Sequence, residues 1–485
     1  MVTLDELRAR LPAITEWLQS EIDAGHTPGA AVGILLNGEV VYTGGFGLRD
    51  VARGLPVDAD TLFAIGSCSK AFTAFGAGML VDEGKLTWDT PLRDLLPDFR
   101  LYDPIATQLS TVRDLLCHRT GLPRHDFMWY GSDATREELY ARLRYLKPSA
   151  TFREKFQYQN LMFMTMGYAV GKTAGTTWEA FTQARIFEPL GMERTQFSVA
   201  ESEKDVNAAL PYEFRKAANA HEAVPFRNIN AVGPAGSINS NINDMLRWLR
   251  LNMVGNPELI KEATLRELHT TQVVIPPSPE YPWYGTTDIT NTGYALGWAT
   301  LVYRGMTMVR HAGGIDGFNS SVAFFPDSGL GVVALCNAQE RDPASALTYG
   351  LFDRALGLEP IPWWDKFAAN REKLEAMGAA QKQAFMDAQQ DAKPSHPLEA
   401  YAGIYRDAGY GDFTISADGD RLKAVFNGLT LHLIPHHFDT FRIEVEGADM
   451  MLIGTFTADA RGNVARFETA LEGAVDPIPF IRVNA

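Results

Sequence analysis

The stretch FAIGSCSKAFTAFGAGML, Phe63 to Leu80, opens on small residues and then turns apolar. It reads as a helix, and Gly84 after LVDEG is the expected C-terminal stop. Its only charged residue is Lys70, three positions after Ser67. Residues at i and i+3 share a helix face, so the amine and the hydroxyl are neighbours. A lysine buried on an apolar helix is costly unless something needs it. A serine at a helix N-terminus has backbone N–H groups and the positive dipole end beside it, which stabilise a negatively charged tetrahedral oxygen. Lys70 can accept the serine proton if burial and positive neighbours lower its pKa.

S-x-x-K alone is a weak pattern, since a cap and a surface lysine produce it too. A leaving group also needs a proton, and an acyl-enzyme needs an activated water, so a second base is required. Tyr158-Gln159-Asn160 is the only Y-x-N in the chain and sits in a loop-like break between helical runs. A tyrosine near an ammonium can ionise and shuttle protons, and Asn160 can point the same way to hold Lys70 and a substrate amide. His311-Ala312-Gly313, within MVRHAGGIDGF, is the only H-x-G and ends a strand. Its glycines let a substrate backbone come close to the strand edge. Gly313 is therefore a substrate-binding candidate, and the N–H of Gly314 a second oxyanion donor beside that of Ser67.

In this order the three motifs resemble those of the serine β-lactamase and DD-peptidase-like hydrolases, on the class C β-lactamase side, where the second motif is Y-x-N. The resemblance runs from roughly residue 10 to 360 and takes in YALGW and GPAGSINSNINDMLRW. It implies that Ser67 is acylated, that Lys70 with Tyr158 accepts its proton and that Asn160 orients Lys70 and the substrate. It also implies that His311 assists Tyr158 or meets the acyl side of the substrate, and that no cofactor or metal is needed. Relatives that hydrolyse β-lactams well carry K-T-G as the third motif, with a permanent charge for the drug's carboxylate. His311 is mostly neutral at pH 7. The resemblance then implies D-aminopeptidases, DD-carboxypeptidases and some esterases rather than an efficient β-lactamase.

Around this core the expected fold class is α/β of the α+β type. Two β-rich runs flank Asn37-Gly38, a hairpin signal. Strand-like runs return at YALGWATLVYR, MTMVRHAG, SSVAFFPDSG and LGVVALCNA, and a helix follows across ASALTYGLFDRAL. One antiparallel sheet built from both ends of the domain is expected, flanked by helices, with a helical subdomain inserted between about Thr61 and Pro279. The first helix should place Leu4, Leu7, Leu11, Ile14, Leu18 and Ile22 on one side. A β-lactamase-like domain is expected over 1–365 and a polar, Ala/Gln-rich linker helix over 366–396. Beyond it, residues 397–485 read as about eight short strands, a small closed barrel or sandwich that resembles the lipocalin-like domain of some peptidases.

The 485 residues, 46% hydrophobic, suit two domains. A net charge of −15 repels phosphate backbones, so nucleic acid is not an expected partner, and no apolar run reaches bilayer length. A small molecule or short peptide is the expected partner, with self-association left open. The N-terminus lacks a charged head followed by an apolar stretch, and the three cysteines (Cys68, Cys117, Cys336) make no disulfide framework or metal spacing. The cytoplasm is the expected location, or the periplasm or exterior if a leader has been removed. Cys68 reads as a small buried hydrophobe. HRTGLPRH, from His118 to His125, reads as a structural loop rather than a metal site. Trp129 and Tyr130, in the aromatic loop HDFMWYGSD, are candidate substrate contacts or a hydrophobic plug. Ser240 and Asp244 read as helix-start residues and His436-His437 as a turn. Within this chemistry the readings are a peptidase or amidase, a carboxylesterase, and a peptide-forming or cyclising acyltransferase. Outside it stand a penicillin-binding sensor without turnover and a barrel that carries small apolar ligands.

Overall fold

The computed structural model describes residues 2–216, 218–279, 281, 284–447 and 450–483. The chain forms two compact units. The first is Met1–Pro97, Ser110–His118 and Met162–Leu374, and the second is Asp98–Leu109, Arg119–Leu161 and Glu375–Ala485. The segments 98–109 and 119–161, which lie within the hydrolase stretch of the sequence, are thus grouped with the C-terminal barrel.

The first unit is built on a nine-stranded antiparallel sheet. Its strands are β1 (Gly29–Leu36), β2 (Glu39–Asp50), β3 (Leu55–Pro56), β4 (Val273–Val274), β5 (Ile289–Tyr294), β6 (Ala299–Tyr303), β7 (Met306–Ile315), β8 (Phe318–Phe325) and β9 (Leu330–Cys336). The spatial order is β3-β2-β1-β9-β8-β7-β6-β5-β4, so the first strands pair directly with the last. Asn37 (φ 52°) and Gly38 (φ 82°) are both left-handed, which gives the hairpin turn between β1 and β2. The run YALGWATLVYR divides into two strands. Its break is a tight turn in which Ala295 N–H donates to the Trp298 carbonyl at 2.7 Å.

Helix α1 (Leu4–Asp23) begins with a Thr3–Glu6 capping box and buries Leu7, Ile14 and Leu18. It packs with α5 (Pro343–Leu356) on one sheet face, in a core shared with Ala30, Val32, Ile34 and Leu36 of β1. The alternate residue Gly33 faces the other way, under Leu246 of α4 (Ile242–Val254). The sheet is therefore covered on both faces. Helix α4 has Asp244 in its first turn, as expected, but its cap is Asn241, and Ser240 lies in a short strand, Asn239–Ser240, just before it.

The stretch read as one helix from Phe63 is in three parts. Phe63–Ala64 is a short strand paired with Asn239–Ser240, Gly66–Cys68 is a 3-10 turn, and α2 runs Ser69–Asp82. Every α2 residue from Ser69 to Leu80 is buried, which explains why the sequence is apolar all round. Gly84 (φ 70°) closes the helix. Helix α3 (Asn160–Ala174) and the long α6 (Trp363–Asp387) complete the elements used below. At the start of α6, Trp363, Trp364 and Phe367 belong to the core of the first unit. Among the described residues no helix is long and apolar enough to cross a membrane.

In the second unit, eight strands close into a barrel. They are β10 (Gly403–Asp407), β11 (Gly411–Asp418), β12 (Arg421–Phe426), β13 (Leu429–His437), β14 (Thr440–Val445), β15 (Met451–Ala458), β16 (Val464–Thr469) and β17 (Ile478–Arg482). Burial alternates along β12 and β14, the period-two signature seen in the sequence. Tyr405, Phe413, Phe426, Phe441, Phe456, Phe467 and Phe480 are all buried and pack ring against ring, Phe413 and Phe426 stacked and the others edge to face or tilted, so the interior is filled with aromatic rings. His436-His437 is not a turn: the pair ends β13, and the chain reverses at Phe438 (φ 49°). The His436 ring stacks on Phe385 of α6 at 3.9 Å.

Candidate active site

Ser67 sits in the 3-10 turn that leads into α2 and is half-buried. The turn is pinned from several sides. Ile65 N–H donates to the Ile238 carbonyl at 2.9 Å, and Ser320 Oγ donates to the Ile65 carbonyl at 2.7 Å. Gly66 is left-handed (φ 48°), and a Cβ there would lie 2.8 Å from the Gly314 nitrogen. A Cβ on Gly313 would lie 2.8 Å from the Ser67 nitrogen. Only glycines allow the end of β7 to approach the turn this closely. The backbone nitrogens of Ser67 and Gly314 thus flank one contact, the neighbourhood an oxyanion hole requires.

Lys70, one turn into α2, has no solvent exposure. Its Nζ is 2.9 Å from Ser67 Oγ and 2.9 Å from the Ala235 carbonyl, and it lies 5.5 Å from the centre of the Phe163 ring. Ala235 belongs to the turn Asn230–Ala235, which Thr73 of α2 also grips through the Pro234 carbonyl at 2.7 Å. Ala235 lies within GPAGSINSNINDMLRW, where the residues alone give it no part. A carbonyl is on every residue, so no local signal marks the one that faces an amine.

His311 is buried in β7. Its Nδ1 faces the Ala312 carbonyl at 2.7 Å and its Nε2 faces Tyr294 Oη at 2.8 Å. A carbonyl only accepts, so Nδ1 carries the proton and Nε2 accepts from the tyrosine. Burial first, then the charges of Lys70 and Arg310, push the imidazole down to about 3, against a backbone hydrogen bond that raises it. His311 is therefore neutral throughout the working range and offers no cation to a substrate. Tyr294, the first residue of YALGW, also packs on the His118 ring at 4.7 Å, a role its place in that run does not announce. Cys68 behaves as expected: it is buried, its thiol donates to the His311 carbonyl at 3.3 Å, and burial pushes its pKa up to about 11.

The depressed His311 pKa has a consequence for stability. Below about 6.5 the unfolded chain takes up a proton that the folded chain refuses until about 3. The stabilisation is complete above 6.5 and is lost as pH falls, at a slope of about 1.4 kcal/mol per pH unit. Denaturant melts between pH 7.5 and 4 are expected to show this slope flattened in His311→Gln, and parallel curves for the two proteins would contradict it.

Tyr158, Asn160, Trp129 and Tyr130 lie in the second unit. Asn160 is the first residue of α3, and its Nδ2 donates to Asp126 Oδ1 at 3.1 Å. Tyr158, two residues before, is half-buried, with the Phe156 ring at 6.4 Å and the Arg124 guanidinium 5.2 Å over its face. Trp129 and Tyr130 are half-buried and meet edge to face at 6.0 Å, and Trp129 Nε1 also donates to Asp126 Oδ1, at 3.0 Å. The structure thus gathers Ser67, Lys70, His311, Gly313 and Gly314 in one unit and the Y-x-N and aromatic-loop residues in the other. Among the described residues no group of three or more His, Cys, Asp or Glu side chains stands together as a metal site. His125 is occupied otherwise, by Tyr410 Oη at 2.6 Å and the Lys147 carbonyl at 2.9 Å.

Comparison with known proteins shows the family of the chain. The family model described as Beta-lactamase matches residues 14–355, and one described as a domain of unknown function (DUF3471) matches residues 387–480. The chain is 32% identical over 466 residues to "Unguisins hydrolase ungD'" of Aspergillus campestris, covering 91% of this chain and 86% of the relative. It is 30% identical to "Unguisins hydrolase ungD" of Aspergillus violaceofuscus, covering 90% and 83%. In fold it is similar to the octameric penicillin-binding protein homologue from Pyrococcus abyssi. The TM-score is 0.64 at 22% identity, over 97% of this chain and 100% of that one.

Proposed function

Because the chain belongs to the beta-lactamase family and is a serine hydrolase, we propose that it cleaves short peptides or amides, D-residue-containing ones included, through an acyl-enzyme on Ser67. The observation that carries this is the buried Lys70 amine 2.9 Å from Ser67 Oγ. In acylation the Ser67 oxygen bonds to the substrate carbonyl carbon and its proton passes to the Lys70 amine, which accepts it only after releasing its own. The Ala235 carbonyl keeps Nζ aimed while the proton is held. Negative charge on the carbonyl oxygen is met by the N–H groups of Ser67 and Gly314. Collapse of the tetrahedral adduct breaks the bond to the leaving amine, which takes a proton through Tyr158. Water then attacks the ester, gives up its proton by the reverse route and frees the acid with Ser67 restored. Asn160 is assigned the substrate amide.

The third motif narrows the substrate. A neutral His311, bonded to Tyr294, supplies no charge for a β-lactam carboxylate. This supports a peptide or amide substrate over a β-lactam. The names of the two fungal relatives support hydrolysis over acyl transfer. A panel of D- and L-aminoacyl anilides, short p-nitrophenyl esters and nitrocefin at equal concentration tests the reading. Turnover of anilides and esters, with nitrocefin slower by ten-fold or more, is the expected order. Nitrocefin as the best substrate would overturn it, and a single stoichiometric burst on every ester would mark a sensor instead of an enzyme.

A further inference from the structure

The C-terminal barrel holds the segment that leads to the Y-x-N motif. Three barrel residues reach it. Tyr410 Oη donates to His125 Nδ1 at 2.6 Å, because Nε2 must donate to the Lys147 carbonyl. Glu472 accepts from the His125 backbone N–H at 2.8 Å. Asn427, in the turn after β12, donates to the Phe127 carbonyl at 2.6 Å. His125 and Tyr410 are both buried. His125 is also left-handed (φ 49°, ψ 37°), a conformation uncommon for a residue with a side chain. Two of the groups that bond it here, Tyr410 and Glu472, are barrel residues.

Asp126 lies between the two clamped residues, His125 and Phe127. One of its carboxylate oxygens accepts from Asn160 Nδ2 at 3.1 Å and from Trp129 Nε1 at 3.0 Å. The other accepts from Arg124 Nε at 2.6 Å, and the guanidinium of that arginine lies over the Tyr158 ring. A chain of direct contacts therefore runs from barrel to His125 and Phe127, then through Asp126 and Arg124 to both residues of the second motif. We propose that the barrel is a clamp that sets the Y-x-N segment, with Asp126 as the positioning residue through which it acts on Asn160 and Tyr158. This rests on the acyl-enzyme reading above. It gives the barrel, whose interior is filled, a part in the reaction played by its outer rim.

The test uses the full-length chain, p-nitrophenyl butyrate as substrate and a fluorophosphonate as label. Asp126→Ala is expected to lower kcat ten-fold or more. Asp126→Asn keeps an acceptor oxygen for Asn160 and Trp129 and should recover most of that loss. Tyr410→Phe should lower kcat several-fold. Tyr405→Phe is the control. It removes the hydroxyl of another buried barrel tyrosine, one bonded to the Tyr401 carbonyl at 2.9 Å rather than to residues 119–161. It should leave kcat within two-fold at a matched loss of melting temperature. Equal kcat for Tyr410→Phe and Tyr405→Phe, or equal kcat for Asp126→Ala and the parent, would overturn the clamp. Should Asp126→Ala fail to fold, the tyrosine pair decides. If Ser67→Ala still labels, the acyl-enzyme reading falls instead, so the two failures are distinguishable.

Discussion

Ser67→Ala is expected to abolish fluorophosphonate labelling and to cut turnover by on the order of 10⁶, the loss seen when an activated serine is removed from a comparable hydrolase. The size follows from what the hydroxyl is in this site. It lies 2.9 Å from the buried Lys70 amine and in the turn flanked by the Gly313–Gly314 backbone. Alanine removes that atom and little else. Lys70 keeps the Ala235 carbonyl, and the turn keeps its bonds to Ile238 and Ser320. Loss of one partly exposed hydrogen bond costs about 1 kcal/mol, so the melting temperature should move by a few degrees at most. Full labelling of the alanine variant, with mass spectrometry placing the adduct elsewhere, would remove Ser67 from the mechanism.

Tyr158→Phe is expected to lower kcat by about 10²–10⁴, the usual worth of a positioned proton carrier. The comparison isolates the hydroxyl. The phenyl ring remains for Phe156 and for the Arg124 guanidinium, so the local packing is retained. The loss should be smaller on esters with good leaving groups than on anilides, because an aryloxide departs without a proton and an anilide nitrogen does not. A variant with the parental rate on anilides would take proton transfer away from Tyr158. Stopped-flow resolution of the burst and steady phases would show whether the defect lies in forming the acyl-enzyme or in its hydrolysis.

Much of the site is legible in the chain because it depends on local geometry. Ser67 and Lys70 are three residues apart on a helical turn, so their meeting needs no tertiary information. Asn37-Gly38 announces its hairpin because both positions need left-handed backbone, and the barrel strands announce themselves by alternation. The short strand at Phe63–Ala64 is missed for a related reason. Its apolar residues continue smoothly into a fully buried helix, and its pairing partner Asn239–Ser240 is remote in sequence. The same remoteness hides Ala235, Tyr294 and Asp126: each matters through polar atoms aimed across space.

The order of the three motifs, the apolar helix that carries the first, and the eight short strands at the end were determined by the sequence alone, through short-range periodicity and turn chemistry. Only tertiary structure decided that His311 stays neutral well below its ordinary range, down to about 3, because burial beside Lys70 and Arg310 sets the cost of its proton. It also decided that Lys70 is held by Ala235 and that the barrel grips His125 and Phe127, because packing between distant segments chooses which polar atoms meet.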